Sequence, residues 1–276
     1  MSRKRTLMPD IYKAKKRQCL AVGTAAATVA ASATPTPNSL DSEEAENKND
    51  LADIPSDTKA SLLYLKSLFP LEKFESRLPP VILKHQVYSI VKNRTLVDKQ
   101  LADLKSNGEI KLFKFGTDTN DFSILFTEDY RNHISRLTED NCISKVIIDK
   151  FLNTVVRNWT DVSVNKEVMI DKFHFKDEEI THLVKASVLT VRDSGTWWLS
   201  IPNAGIFMKN LIRGRKAAIT IIKKTKYKEI FKDDLEQRKW PRLARLGIVY
   251  HIHDIIGADL VDCIQTTNGI LLRLRE

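Results

Sequence analysis

From Asp57 onward, apolar positions switch between helical and strand-like spacing, and the switch recurs about every 80 residues. Residues 60–69 carry apolar side chains at helical spacing and are closed by Pro70. Pro79-Pro80 opens a second helical stretch, VILKHQVYSIV. Thr95 with Asp98 three residues on reads as a capping box that starts a third helix over 96–106, with Leu101 and Leu104 on one side. Asn107-Gly108 stops it. EIKLFKFG and FSILF then read as two strands around the turn TDTND at 117–121. Three helices followed by a β-hairpin is the order of a winged helix.

The order returns twice. Residues 143–159 predict a long amphipathic helix and 168–175 a short helical segment. Residues 177–188 predict a helix with acids in its first turn, where the macrodipole favours them. Residues 189–202 form a hairpin pattern around Asp193-Ser194-Gly195. In the last third, 204–226 and 227–238 precede a strand over 248–252, a helix over 255–264 and a hairpin at Asn268-Gly269. The segments DKQLADLKSNGEIKLF, ITHLVKASVLTVRDSGTWWL and GADLVDCIQTTNGILLRL share a helix that runs into a hairpin, with Leu101, Leu183 and Leu260 in register. The expected architecture is α+β: mainly helical, with small β-hairpin wings. It comprises three tandem winged-helix domains at 57–130, 131–202 and 203–276.

Residues 1–56 differ in texture. Ala, Thr, Ser and Pro dominate 21–37, and an acidic run follows (Asp41, Glu43, Glu44, Glu46, Asp50, Asp53). So little apolar surface predicts a disordered tail. Two basic clusters within it, Arg3, Lys4, Arg5 and Lys13, Lys15, Lys16, Arg17, are spaced like a two-part nuclear localisation signal. A solvated charge run is the plain alternative.

The chain has 276 residues, of which 42% are hydrophobic, enough for a sizeable core. No apolar run approaches the roughly 20 residues of a membrane span, and the start lacks the apolar stretch of a secretory signal. Cys19, Cys142 and Cys263 are scattered, which predicts a reducing compartment, no disulfide framework and no zinc site.

Charge changes the picture most. Between Lys209 and Arg245 stand thirteen Lys/Arg against four acids, a balance of +9 that equals the formal charge of the whole chain. At 100° per residue from Lys209, Arg213 falls at about +40°, Lys216 at about −20°, Lys223 at about −40° and Lys224 at about +60°. Phe207, Leu211, Ala218 and Ile222 fall on the opposite side. A cationic stripe of this kind can lie along phosphates and release counterions. The candidate contacts are Lys209, Arg213, Arg215, Lys216, Lys223, Lys224, Lys226, Arg238, Lys239 and Arg242. A solvated helix face is the competing explanation, but four acids leave most of this charge without an intramolecular partner. The three helices that precede the hairpins are acidic or neutral where bases would be met, so sequence readout is not expected.

Candidate chemistry is sparse. Of Trp197 and Trp198, in one strand, one faces inward and the other outward, onto a base or a neighbouring unit. His251 and His253 share a face of the expected strand without a third metal ligand. Asp254 reads as a helix cap, and Asp259 and Asp262 as a solvated face. G-x-G-x-x-G, H-R-D, D-F-G, A-P-E, Walker A, G-x-S-x-G and H-E-x-x-H are missing. VILK at 81–84 resembles a kinase strand motif but follows Pro-Pro and continues as a helix. No catalytic residue, metal or cofactor is expected.

Several long runs resemble a known family: TLVDKQLADLKSNGEI at 95–110, FTEDYR at 126–131, ITHLV at 180–184, VLTVRDSGTWWL at 188–199 and RLGIVYHIHDIIGADLVDCI at 245–264. The chain is similar to the serine/threonine-protein kinase nineteen family, also called winged helix repair proteins. The likeness runs from about residue 68 to the C-terminus and includes the MSRKR start; the middle of the tail does not match. It implies three winged-helix domains, a nuclear and chromatin location, and binding to double-stranded DNA and to RNA. It also implies a scaffold role in transcription-coupled nucleotide excision repair, linking stalled RNA polymerase II and its recognition factors to the repair helicase complex. By position, the family's nucleic-acid contacts correspond to Lys209, Lys223, Arg238 and Lys239; at two of these places Lys stands for Arg, keeping charge but losing the bidentate fork. Two other readings remain open: a protein-interaction module whose basic face docks on an acidic protein, and the kinase of the family's label. A homodimer is left open.

Overall fold

The computed structural model describes residues 56–115, 122–140, 145–242 and 244–275. The basic clusters at residues 3–17, Cys19, Cys142 and the turn at 117–121 lie outside the described residues.

Helix α1 (Asp57–Ser67) starts at Ser56, whose hydroxyl accepts from the Lys59 N–H, and buries Leu62 and Leu65. Strand β1 (Ile82–Leu83) and helix α2 (Lys84–Tyr88) follow Pro79-Pro80. The single helix expected here begins instead as a strand, because Val81, Ile82 and Leu83 are consecutively buried and Ile82 pairs with Ile124. Helix α3 (Arg94–Ser106) buries Val97, Leu101 and Leu104. Its cap is Asn93, whose side chain accepts from the Leu96 N–H, and not Thr95. Asp98 is engaged by Lys84 and Tyr88 instead of closing a capping box. Strands β2 (Ile110–Lys114) and β3 (Phe122–Phe126) form the hairpin, and β1 joins β3 to give the order β1-β3-β2.

Helix α4 (Thr127–Asp140) has no counterpart in the pattern reading. Helix α5 (Lys145–Phe151) widens to π pitch over Leu152–Val156, a local departure within the one long helix expected there. Strand β4 (Ser163–Asn165), a wide turn at Val168–Lys172, helix α6 (Asp177–Lys185) and strands β5 (Leu189–Asp193) and β6 (Thr196–Leu199) complete a second sheet, ordered β4-β6-β5. Helix α7 (Ala204–Lys223), strand β7 (Glu229–Phe231), helix α8 (Lys232–Glu236), helix α9 (Ile248–Gly257) and strands β8 (Val261–Thr266) and β9 (Gly269–Leu274) build a third, ordered β7-β9-β8.

Two expectations fail in this last part. Residues 248–252 are helical, not extended, and 261–266 are a strand, not the end of a helix. Helix α9 is buried on nearly every side, so no polar face reveals its 3.6-residue period, and its β-branched residues mimic a strand. The hairpin at Asn268-Gly269 is present, and Gly269 occupies a φ of 123° that disfavours any side chain.

Three apolar clusters hold these elements. One surrounds α3 and the first sheet (Leu62, Val97, Leu101, Ile124) and another the third sheet (Ala218, Ile222, Leu235, Ile255, Leu272). The largest joins Phe69 and Phe113, Tyr130 of α4, Phe151 and Leu183, and Phe207 and Tyr250. The repeats therefore share one central core. Trp197 packs against it, while the Trp198 ring has the Lys114 ammonium at 5.1 Å and the Arg192 guanidinium at 4.4 Å from its centroid.

Lys111 crosses from the first sheet toward the second. It is 2% exposed, and its ammonium donates to the Trp159 carbonyl at 2.5 Å. Burial, helped by nearby Lys105, pushes its pKa down to about 8. The unfolded chain keeps that proton up to about pH 10.5, so between these values the unfolded state binds more protons and stability rises with pH. Urea unfolding should show a rise on the order of 2 kcal/mol from pH 7.5 to 9.5 that disappears in Lys111→Met. An identical pH profile in wild type and variant would show that the ammonium is solvated.

Candidate nucleic-acid interface

Helix α7 places its apolar and cationic residues as the angular arithmetic expects. Phe207, Leu211, Ala218 and Ile222 are buried, whereas Lys209, Arg213, Lys216 and Lys223 are exposed along one face. Lys209 and Lys223 are fourteen positions apart, about 21 Å along the axis. Lys224 caps the helix and is exposed, as is Lys226 just beyond it. Among the described residues, Lys209, Arg213, Lys216, Lys223 and Lys224 make no ion pair.

Arg238, Lys239 and Arg242 are exposed on the connection between α8 and α9. That connection is pinned by Trp240, whose indole N–H donates to the carbonyls of Ala244 (2.9 Å) and Leu246 (2.8 Å). Two other bases of the +9 stretch serve the fold: Arg245 donates to the Lys73 carbonyl, and Lys232 lies 3.8 Å from Glu236.

Arg215 departs from the expected contact set. Its Nε donates to Asp254 Oδ2 at 2.8 Å and an Nη to Oδ1 at 2.7 Å, a bidentate fork on a carboxylate with no exposed surface. His85 Nε2 also lies 2.8 Å from Asp254 Oδ1, and His251 Nδ1 stands 3.8 Å from Oδ2. Burial alone would raise the Asp254 carboxyl; the Arg215 fork, with His251 and His85 beside it, outweighs burial and holds it well below the usual carboxylate range. Asp254 is thus an internal counter-ion and not the helix cap expected from sequence.

This carboxylate sits where α9 crosses α2. Gln86 donates to the Tyr250 carbonyl, the Tyr250 hydroxyl donates to the Val81 carbonyl, and Ser89 Oγ lies 2.7 Å from His253 Nδ1. His251 and His253 are buried on a helix and share no strand face. Burial, with the charge of Lys232, pushes the His253 pKa down to about 4. Helix α9 precedes the third hairpin, the place of a groove-reading helix, yet its side chains are committed to the interior.

Sequence reasoning missed His85 and Asp254 as partners, because a contact spanning 169 residues leaves no local pattern. Among the described residues, no group of three or more His, Cys, Asp or Glu converges as a metal site. Among them, no helix is long and apolar enough to cross a membrane.

A family model described as inactive serine-threonine protein kinase 19 matches residues 49–274. The chain belongs to this family. A human relative, winged helix repair factor 1, is 45% identical over 222 residues, covering 80% of this chain and 87% of its own. The Xenopus laevis protein of the same name is 40% identical over 279 residues and the full length of both chains. A Dictyostelium discoideum protein of that name is 28% identical over 233 residues, covering 71% of this chain and 59% of its own. The family's description as inactive accords with the missing kinase motifs in this sequence.

Proposed function

We propose that this chain is a non-enzymatic nuclear scaffold of DNA repair that grips duplex DNA through its phosphates. In this reading, 57–130, 131–202 and 203–276 are three tandem winged-helix domains, and the last carries the DNA face. The thrice-repeated sheet order, first-third-second, supports that division. The relatives' shared name supports a winged-helix fold and a repair role. The transcription-coupled branch of excision repair, chromatin association, RNA binding and a bridge from stalled RNA polymerase II to the repair helicase complex follow from the family resemblance and are proposed with it.

The observation that carries the reading is the exposed cation stripe Lys209–Arg213–Lys216–Lys223, which makes no ion pair among the described residues; Lys224, Lys226, Arg238, Lys239 and Arg242 are exposed as well. Arg215 leaves the contact set because its guanidinium is committed to Asp254. Burial of α9 supports backbone gripping over base reading, since no free helix precedes the third hairpin. Fluorescence anisotropy on blunt duplexes should show affinity falling steeply with salt. Charge reversal at Lys216 and Lys223 together should weaken binding at least about tenfold, and their replacement by alanine should lower the salt slope by about 2. An unchanged slope would reject the surface. Binding to heparin without binding to duplex DNA would favour the second reading, an acidic protein docked on the same face.

A further inference from the structure

We propose that Tyr227 stacks on an unpaired nucleobase at the C-terminal end of the α7 stripe, so that this face favours DNA where duplex gives way to single strand. The inference rests on the stripe being a phosphate surface.

Tyr227 is 69% exposed. The other exposed aromatic among the described residues, Tyr64 at 46%, has a partner: its ring meets His253 edge-on at 5.7 Å. The Tyr227 ring has the Lys226 ammonium 5.1 Å from its centroid, and its hydroxyl makes no hydrogen bond among the described residues. The ring thus keeps an open π-face in water beside the exposed cations Lys224 and Lys226, which can take phosphates.

Its mount is ordered. The Lys224 N–H closes α7 on the Thr220 and Ile221 carbonyls, Thr225 donates twice to the Ile222 carbonyl, and the Lys228 N–H returns to the Thr225 carbonyl. Lys228 then enters the left-handed region (φ 55°), and the chain proceeds into β7. The aromatic is therefore presented on a hydrogen-bonded turn, four residues past Lys223 at the end of α7.

Phosphate contacts do not distinguish paired from unpaired DNA by stacking. An aromatic face does, because bases inside a duplex already cover one another, whereas an unpaired base can stack on a side chain regardless of sequence. Cations beside such a ring form the usual combination of single-strand binding surfaces.

The test is anisotropy at matched salt on a blunt duplex, on the same duplex with a single-stranded thymine overhang, and on a duplex whose overhang is RNA. Wild type should bind the DNA overhang about tenfold more tightly than the blunt duplex. Tyr227→Ala should erase that gain while leaving blunt-duplex affinity and salt slope unchanged, and Tyr227→Phe should retain it. An RNA overhang that gains equally, and loses equally in Tyr227→Ala, supports base stacking irrespective of the sugar. Three results overturn the proposal: wild type without an overhang preference, Tyr227→Ala that keeps it, or Tyr227→Ala that weakens blunt duplex and overhang alike. Failure of the phosphate reading looks different: the blunt duplex itself goes unbound, or binds without regard to charge reversal at Lys216 and Lys223.

Discussion

Arg215→Ala should lower unfolding free energy by about 3–5 kcal/mol, the range for removing one partner of a buried ion pair. The reason is asymmetric burial. Asp254 has no exposed surface, while the Arg215 side chain retains 32%. Removing the guanidinium strands a carboxylate inside the α7–α9–α2 junction with His85 as its remaining close partner. Arg215→Lys should fall between wild type and alanine, since an ammonium keeps the charge but cannot make the fork. Urea denaturation followed by circular dichroism measures both. The duplex affinity of the lysine variant should stay within about twofold of wild type, because the charge is conserved and, in the proposed interface, the group is committed to Asp254. A fully stable Arg215→Ala with weakened DNA binding would return Arg215 to the interface.

Gly257→Ala should destabilise by about 3 kcal/mol, the upper end of ordinary overpacking. A Cβ built on Gly257 would lie 1.9 Å from the His85 carbonyl oxygen and 2.5 Å from its carbon. These are backbone atoms, so no side-chain rotation relieves the clash; α9 and α2 must part. Gln86 of α2 bonds the Tyr250 carbonyl of α9, and the Tyr250 hydroxyl bonds Val81 just before β1; separation would stretch both. Gly205→Ala is the control. A methyl there meets nothing within 4 Å, and alanine is the better helix former, so that variant should be neutral or slightly more stable. Equal thermal midpoints for both variants would show that the crossing tolerates expansion.

How far the sequence was legible depended on whether a residue's role was local. The opposed faces of α7 could be derived from spacing, because a helix with water on one side advertises its period. The hairpins at 193–195 and 268–269 followed from turn chemistry in the same way. The sequence pattern misleads at α9 because it is surrounded by protein, and an all-apolar environment erases the polar half of the signal. Charge alone groups Arg215 with its neighbours, although the same arithmetic sets it about 120° off the stripe, toward the flank where Asp254 lies. Nothing local marked Asp254 or His85, since their meeting depends on how the first and third repeats pack. Tyr227 was visible in the sequence, but only its exposure distinguishes it from a core tyrosine such as Tyr250.

The shared apolar cluster bears on how this chain could be dissected. Phe207, Leu211, Leu246 and Tyr250 of the last third find their neighbours in Phe69, Phe115 and other side chains of the earlier two. Excised on its own, the cationic segment would expose these apolar side chains to water, and aggregation would compete with its folding. Moving the cationic face onto another scaffold therefore means transplanting the body from Asp57 onward, not the stretch that bears the charge.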